Sequence, residues 1–205
     1  MKTILAAVTA LLLTTATASA ATMFNFSGGG GLASSYSFTE DGITVEATPG
    51  TFSNGGAVTP GGWIGQYGGG LGVTNSIFDN THQVDGLGLN DIVIFKFDQV
   101  VTLNSVTFSL VGNDDHFSFF FDNEPDGDLD LISSFVNIPG TGTTTYTFNS
   151  TWTGMLFGIG AKGSDDEFKI KGAMVTAIPL PAALPLYGAG IAILGLIGWI
   201  RKRRE

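Results

Sequence analysis

Between residues 21 and 177 the apolar positions recur with a period of two, and the 3.6-residue period of an amphipathic helix is missing. Val, Ile, Thr and Phe fill the alternating stretches, as half-buried strands require, while Gly, Asn and Asp punctuate them. Ser34–Thr39 and Ile43–Ala47 flank Glu40-Asp41-Gly42 and predict a hairpin. Ile92–Phe97 is almost continuously apolar, the pattern of a strand covered on both faces. After Asp98-Gln99, Val101–Val111 predicts a separate strand whose apolar phase changes between Leu103 and Val106, which places a bulge near Asn104-Ser105. Phe117–Phe121, Leu131–Val136 and the half-buried pattern of Thr143–Phe148 come next. Met155–Ala161 sets Met155, Phe157 and Ile159 on one face, and Phe168–Ala177 turns Phe168 and Ile170 inward with Lys169 and Lys171 pointing the other way. About nine or ten short strands at regular spacing predict an all-β fold, an antiparallel β-sandwich of jelly-roll-like topology. Two stretches, Thr48–Gly72 with Trp63 and Tyr67 in it and Thr74–Asn90, are too rich in Gly, Pro and polar residues for this pattern and read as long loops.

The ends break the alternation. Residues 1–20 carry one charge, Lys2, then an apolar run from Ile4 to Leu13, and close on Ala18-Ser19-Ala20. That order is a secretory signal peptide, with signal peptidase reading Ala18 and Ala20 and cutting after Ala20. At the other end no charge occurs from Ile178 to Ile200, 23 residues, enough to cross roughly 30 Å of hydrocarbon as a transmembrane helix. Arg201, Lys202, Arg203 and Arg204 follow and predict a stop-transfer cluster that stays cytoplasmic and leaves the preceding domain outside. The expected division is a signal peptide at 1–20, an exported domain at 21–177 and a membrane tail at 178–205.

Charge and cysteine content sharpen this picture. The exported stretch has four lysines against seventeen acidic residues, a formal charge of −13. Such a field repels phosphate backbones and anionic surfaces and attracts cations, so no nucleic-acid partner is expected. Cysteine is absent, which excludes thiol chemistry and disulfides and leaves stability to core packing.

An ordinary single-span anchor accounts for the apolar run and the basic end, but not for Pro179-Leu180-Pro181-Ala182 placed just before the span. Motif, span and basic cluster in that order resemble the PEP-CTERM class of bacterial sorting tails in its VPLPA-type variant, with Ile178 replacing the leading Val. The resemblance covers about 28 of the 205 residues. It implies that an exosortase, a membrane transpeptidase-like protease, reads Pro179, Leu180, Pro181 and Ala182. It also implies a Gram-negative host with an exopolysaccharide-rich envelope, an inner-membrane stage held by the tail, and delivery to the cell surface or beyond. Glycine-rich acidic sandwich domains are often attached to such tails, and residues 21–177 look like them without naming an activity.

Candidate chemistry lies in three places. Asp122, Glu124, Asp126, Asp128 and Asp130 alternate their oxygens around Gly127, as at the start of a calcium loop. Ser133 stands where an EF-hand would close with a bidentate Glu, so two readings stay open, a looser extracellular Ca²⁺ site and a solvated acidic turn. Trp63, Tyr67 and Trp152 would stack on sugar rings if they share an exposed face, and would otherwise belong to the core. His82 and His116 are the only histidines, and no nucleophile-elbow context accompanies them. Gly158–Gly163 spells G-x-G-x-x-G, but acidic residues and a strand follow where a dinucleotide site needs a helix N-terminus. A non-catalytic structural or adhesive surface protein therefore ranks first, and a carbohydrate-binding module for exopolysaccharide, assisted by calcium, ranks second. A glycosidase or esterase ranks last. An exposed strip containing Trp63 and Tyr67 would favour the second, and a deep cleft with two facing carboxylates the third.

Overall fold

The computed structural model describes residues 20–178, apart from 76–78, 80 and 125. The signal segment through residue 19 and the tail from residue 179, with the sorting motif and basic cluster, lie outside the described residues. Among the described residues no helix forms, and none is therefore long and apolar enough to cross a membrane. The strands are β1 Ala21–Asn25, β2 Gly31–Ala33, β3 Tyr36–Glu40, β4 Ile43–Phe52, β5 Val58–Pro60, β6 Trp63–Tyr67 and β7 Gly70–Thr74. They continue as β8 Val84–Asp85, β9 Asn90–Val111, β10 His116–Phe121, β11 Asp130–Asn137, β12 Gly142–Gly160 and β13 Glu167–Ala177. Every pairing between them is antiparallel.

The expected hairpin is β3–β4. Asp41 and Gly42 connect it with φ of 49° and 78°, the paired positive angles whose twist matches the flanking strands. The expected bulge is also present, because the registers of β9 with both β12 and β13 step over Asn104. Its Nδ2 donates to Thr176 Oγ1 at 2.7 Å instead.

Five expectations need correcting. The pattern breaks Ile92–Phe97 from Val101–Val111 at Asp98-Gln99, yet β9 runs through both as 22 residues. Asp98 does not make a turn there; its carboxylate accepts the Thr44 N–H at 3.0 Å and ties β9 to β4. Likewise β12 joins 143–148 to 155–161 and absorbs the surplus as irregularities opposite Asn104 and near Met155. Met155 falls in the second of these and turns outward, 40% exposed, while Phe157 and Ile159 enter the core. Thr48–Gly72 is not a loop: β4 continues to Phe52 and β5, β6 and part of β7 follow. Its glycines serve close approach inside strands as well as turns. A Cβ at Gly72 would lie 1.9 Å from the His82 carbonyl oxygen. Finally Lys169, expected to point to solvent, is as buried as Phe168 and Ile170, because the chain around residues 81–83 lies over it.

The first half of β9 pairs with β4 and the end of β12, while its second half pairs with β13 and the start of β12. The sheet thereby folds over on itself, and inward residues of both halves meet in one cluster. Phe24 of β1 reaches Phe97 at 5.9 Å between centroids, and Phe26 reaches Phe95 at 5.3 Å. Phe52, Ile92, Ile94 and Phe120 form a second cluster on the outer side, covered by Val58, Leu129, Leu131 and Leu156. Ile92 and Ile94 thus face one cluster and Val93, Phe95 and Phe97 the other, the double cover that the apolar run predicts. Each buried Phe or Ile stabilises the fold by roughly 1.5–3 kcal/mol relative to exposure.

Candidate functional site

Strand alternation decides which side chains of β6 meet solvent. Ile64 is fully buried in the main cluster, so Trp63, Gly65 and Tyr67 share the opposite face. Trp63 is 55% exposed, and Leu32, paired with Gly65 across β2, is 44% exposed beside it. Gly65 is bare by necessity, since a Cβ there would lie 2.6 Å from the Tyr67 ring. Trp63 and Tyr67 are four residues apart, about 13 Å at strand rise. Gly65 itself is buried, covered by the Tyr67 ring and by Leu32, so the face is an apolar surface made of Trp63, Leu32 and the Tyr67 ring.

The Tyr67 end is fixed by the segment after β7. The His82 ring stacks on Tyr67 at 5.5 Å and 10°. Thr74 Oγ1 lies 2.7 Å from His82 Nδ1, and Lys169 Nζ sits 5.0 Å from the centre of the Tyr67 ring. The Lys169 ammonium donates to the carbonyl oxygens of Thr81 and His82, which satisfies it away from water. Burial pushes its pKa down to about 8, against a smaller upward pull from Asp79.

The same segment gathers three carboxylates. Asp79, Asp85 and Asp91 bring one oxygen each to within 4.8 Å of the others. Two oxygens at 2.3–2.6 Å from a Ca²⁺ stand no farther apart than about 5 Å, so this spacing fits one hard cation. Backbone donors hold each carboxylate. Asp79 accepts from the N–H groups of Thr81 and His82, both at 3.1 Å, and Asp85 from Leu87 at 3.0 Å. Asp91 accepts from Asn75 Nδ2 at 2.5 Å and from the Asp85 N–H at 3.4 Å. Asp91 is fully buried, and burial followed by the Asp85 charge pushes its pKa up to about 8. A cation between the three would remove that repulsion, and it would fasten the segment that carries His82.

The other residues singled out in the sequence are placed differently. Trp152 packs against Phe119 and Phe121 at 5.3 and 5.6 Å and does not join the β6 strip. The Asp122–Asp130 carboxylates do not converge as those of Asp79, Asp85 and Asp91 do. Asp122 accepts from the Gly127 N–H at 3.2 Å, Asp126 from the Asp128 N–H at 3.0 Å, and Leu129 leads the loop onto the second cluster. His116 Nδ1 meets Asp166 at 3.2 Å rather than Asp114 or Asp115. Asp166 also accepts the N–H groups of His116 and Gly163, which makes it the cap of a turn. Asp79, Asp85, Asp91 and Lys169 were not legible as site residues. The even spacing of the three aspartates is the one available signal, and no local motif explains it.

No protein-family model matches the chain, and no curated protein does. Among solved structures, a family 32 carbohydrate-binding module from Streptococcus pneumoniae EndoD aligns with a TM-score of 0.35 and 14% identity. The alignment covers 65% of this chain and 96% of that one. At that score the likeness carries no argument about ligand.

Proposed function

We propose that this is an exported, non-catalytic envelope protein whose jelly-roll-like domain adheres to exopolysaccharide through the Leu32–Trp63–Tyr67 face. One observation carries the reading: Trp63, 55% exposed, shares the outer side of β6 with Tyr67, and exposed Leu32 stands beside them. A flat apolar ring at a solvated surface suits the apolar face of a sugar, and Trp63 with Leu32 beside it offers that surface. The charge of the domain favours neutral or basic polysaccharide over anionic chains. A cation at Asp79, Asp85 and Asp91, calcium by its oxygen ligands, organises the segment that positions His82 and Tyr67.

Delivery belongs to the tail. The signal peptide exports the chain, the span holds it in the inner membrane, and an exosortase reads Pro179-Leu180-Pro181-Ala182. Proline disfavours helix in itself and in the residue before it, and a protease that binds an extended substrate favours such a sequence. Two experiments test the two halves. Sedimentation of the protein with its host's exopolysaccharide should fall at least about tenfold in affinity on Trp63→Ala, and an unchanged affinity removes the adhesive role. Replacing residues 179–182 by a Gly/Ser segment should leave the protein inserted but unprocessed, with the basic C-terminus detectable by mass; normal maturation would reduce the tail to an anchor.

A further inference from the structure

Sheet and acidic loop enclose a cleft on the side of the second cluster. Its volume is about 700 Å³, the size of a small-ligand site. Lys96 of β9 contributes to one wall, Asp122, Asn123 and Asp126 to another, and Met155 with Leu156 supply an apolar surface. Three features of the fold build it. The irregularity at Met155 turns that side chain out of the core and into the lining. Gly154 leaves space that a Cβ could not, since it would stand 2.7 Å from the Phe121 ring. The loop is held over the sheet by the Asp122 N–H donating to the Leu156 carbonyl at 3.2 Å.

The polar groups of the lining are incompletely used. Among the described residues Lys96 forms no ion pair, although Glu46 stands opposite it in register. Asp122 accepts from Gly127 through Oδ2, while its Oδ1 is buried and has no hydrogen-bond partner among the described residues. The charged groups of the lining that a ligand in the cleft can reach are Lys96 and Asp126, both exposed. The charges decide what that ligand is. A metal ion would sit in a site that also carries the Lys96 ammonium, and an anion would face Asp122 and Asp126. A wholly apolar ligand would desolvate all of these groups without replacing their hydrogen bonds. A neutral polyhydroxylated ring satisfies every wall, because a hydroxyl donates to a carboxylate and accepts from an ammonium, while the ring's C–H face lies on Met155 and Leu156.

We infer that this cleft is a second saccharide site, taking a neutral sugar unit between Lys96 and the Asp122–Asp126 loop. It rests on the polysaccharide-binding reading and extends it: with the β6 strip, the domain holds two chains and cross-links them.

The test uses the full-length protein in a zwitterionic detergent without a sugar headgroup, titrated with maltotriose, cellotriose, mannotriose and chitotriose. In a Trp63→Ala background, which removes the strip, at least one of these should bind saturably. Lys96→Met and Asp122→Asn should each then weaken it about tenfold or more, with unchanged circular dichroism. Lys96→Met lies on β9, outside the loop, so it tests the cleft independently of any effect of Asp122→Asn on the loop fold. No saturable binding to Trp63→Ala, or binding that survives both substitutions, overturns the second site. If wild type binds and Trp63→Ala does not, the strip stands and the cleft falls. If Lys96→Met and Asp122→Asn abolish all binding with Trp63 intact, while Trp63→Ala alone spares it, the cleft stands and the strip falls. A calcium-induced shift lost in Asp122→Asn, without sugar binding, overturns the inference in favour of a cation loop.

Discussion

Phe120 and Lys169 are almost equally buried, 0% and 5% exposed, yet opposite kinds of chemistry hold them. Phe120 lies edge-on to Phe52 at 4.8 Å among Ile92 and Ile94, and its burial is favourable by itself. Lys169 is buried at a penalty, offset by two carbonyl acceptors and a ring face. Asp91, in the same corner, is buried at a penalty offset by one amide and one N–H. The apolar clusters fix the shape of the sheet, while the polar corner fixes the segment beside the β6 strip. Charged residues in that corner control how firmly Tyr67 and His82 are presented, so the same groups that weaken the fold there organise the site.

If this contrast is right, truncation in the clusters should have the largest effect. Phe108→Ala leaves a cavity among Phe117 and Phe168 and should destabilise the domain by about 3–5 kcal/mol in a denaturant titration. A loss below about 1 kcal/mol would mean that the cluster collapses around the gap. Gly72→Ala attacks the corner through the backbone. It drives a methyl group into the His82 carbonyl and should cost about 1–3 kcal/mol, with loss of the Tyr67–His82 stacking visible in aromatic NMR shifts.

The polar corner should also write a signature on pH. The folded pKa of Asp91, about 8, lies above its ordinary 3.8. Its contribution is therefore fully present below pH 3.8 and is lost as pH rises through about 8. The folded pKa of Lys169, also about 8, lies below its ordinary 10.5, so its contribution is present above 10.5 and is lost as pH falls through about 8. In cation-free buffer these two groups place a stability minimum near pH 8. Asp91→Asn should flatten the acid arm and Lys169→Met the alkaline arm, as followed by melting temperature across pH. A curve unmoved by either substitution would show that both groups titrate normally.

Calcium should act on the same corner, with an effect no larger than that of Gly72→Ala. Millimolar Ca²⁺ should raise the melting temperature at pH 8 by a few degrees, about 1–3 kcal/mol by linkage, and Asp91→Asn should abolish the rise. A rise that persists in Asp91→Asn and disappears in Asp126→Asn would return the cation to the acidic loop.

The sequence by itself determined the all-β class, because a period of two in apolar residues can be buried only by strands. It also determined the Asp41-Gly42 turn, the bulge at Asn104 and the double cover of Ile92–Phe97, each written in contiguous residues. Tertiary structure decided whatever depends on a distant partner. Asp98 reads as a turn residue until Thr44 arrives to donate to it, and Lys169 reads as solvated until Thr81 and His82 cover it. Trp63 and Trp152 look alike along the chain, but one meets solvent on the outer face of β6 and the other meets Phe119 and Phe121. Asp79, Asp85 and Asp91 come together only because β8 and the start of β9 fold beside the segment after β7. Local pattern specifies which faces are buried, whereas convergence of charge is set by which strands become neighbours, and no local periodicity encodes that.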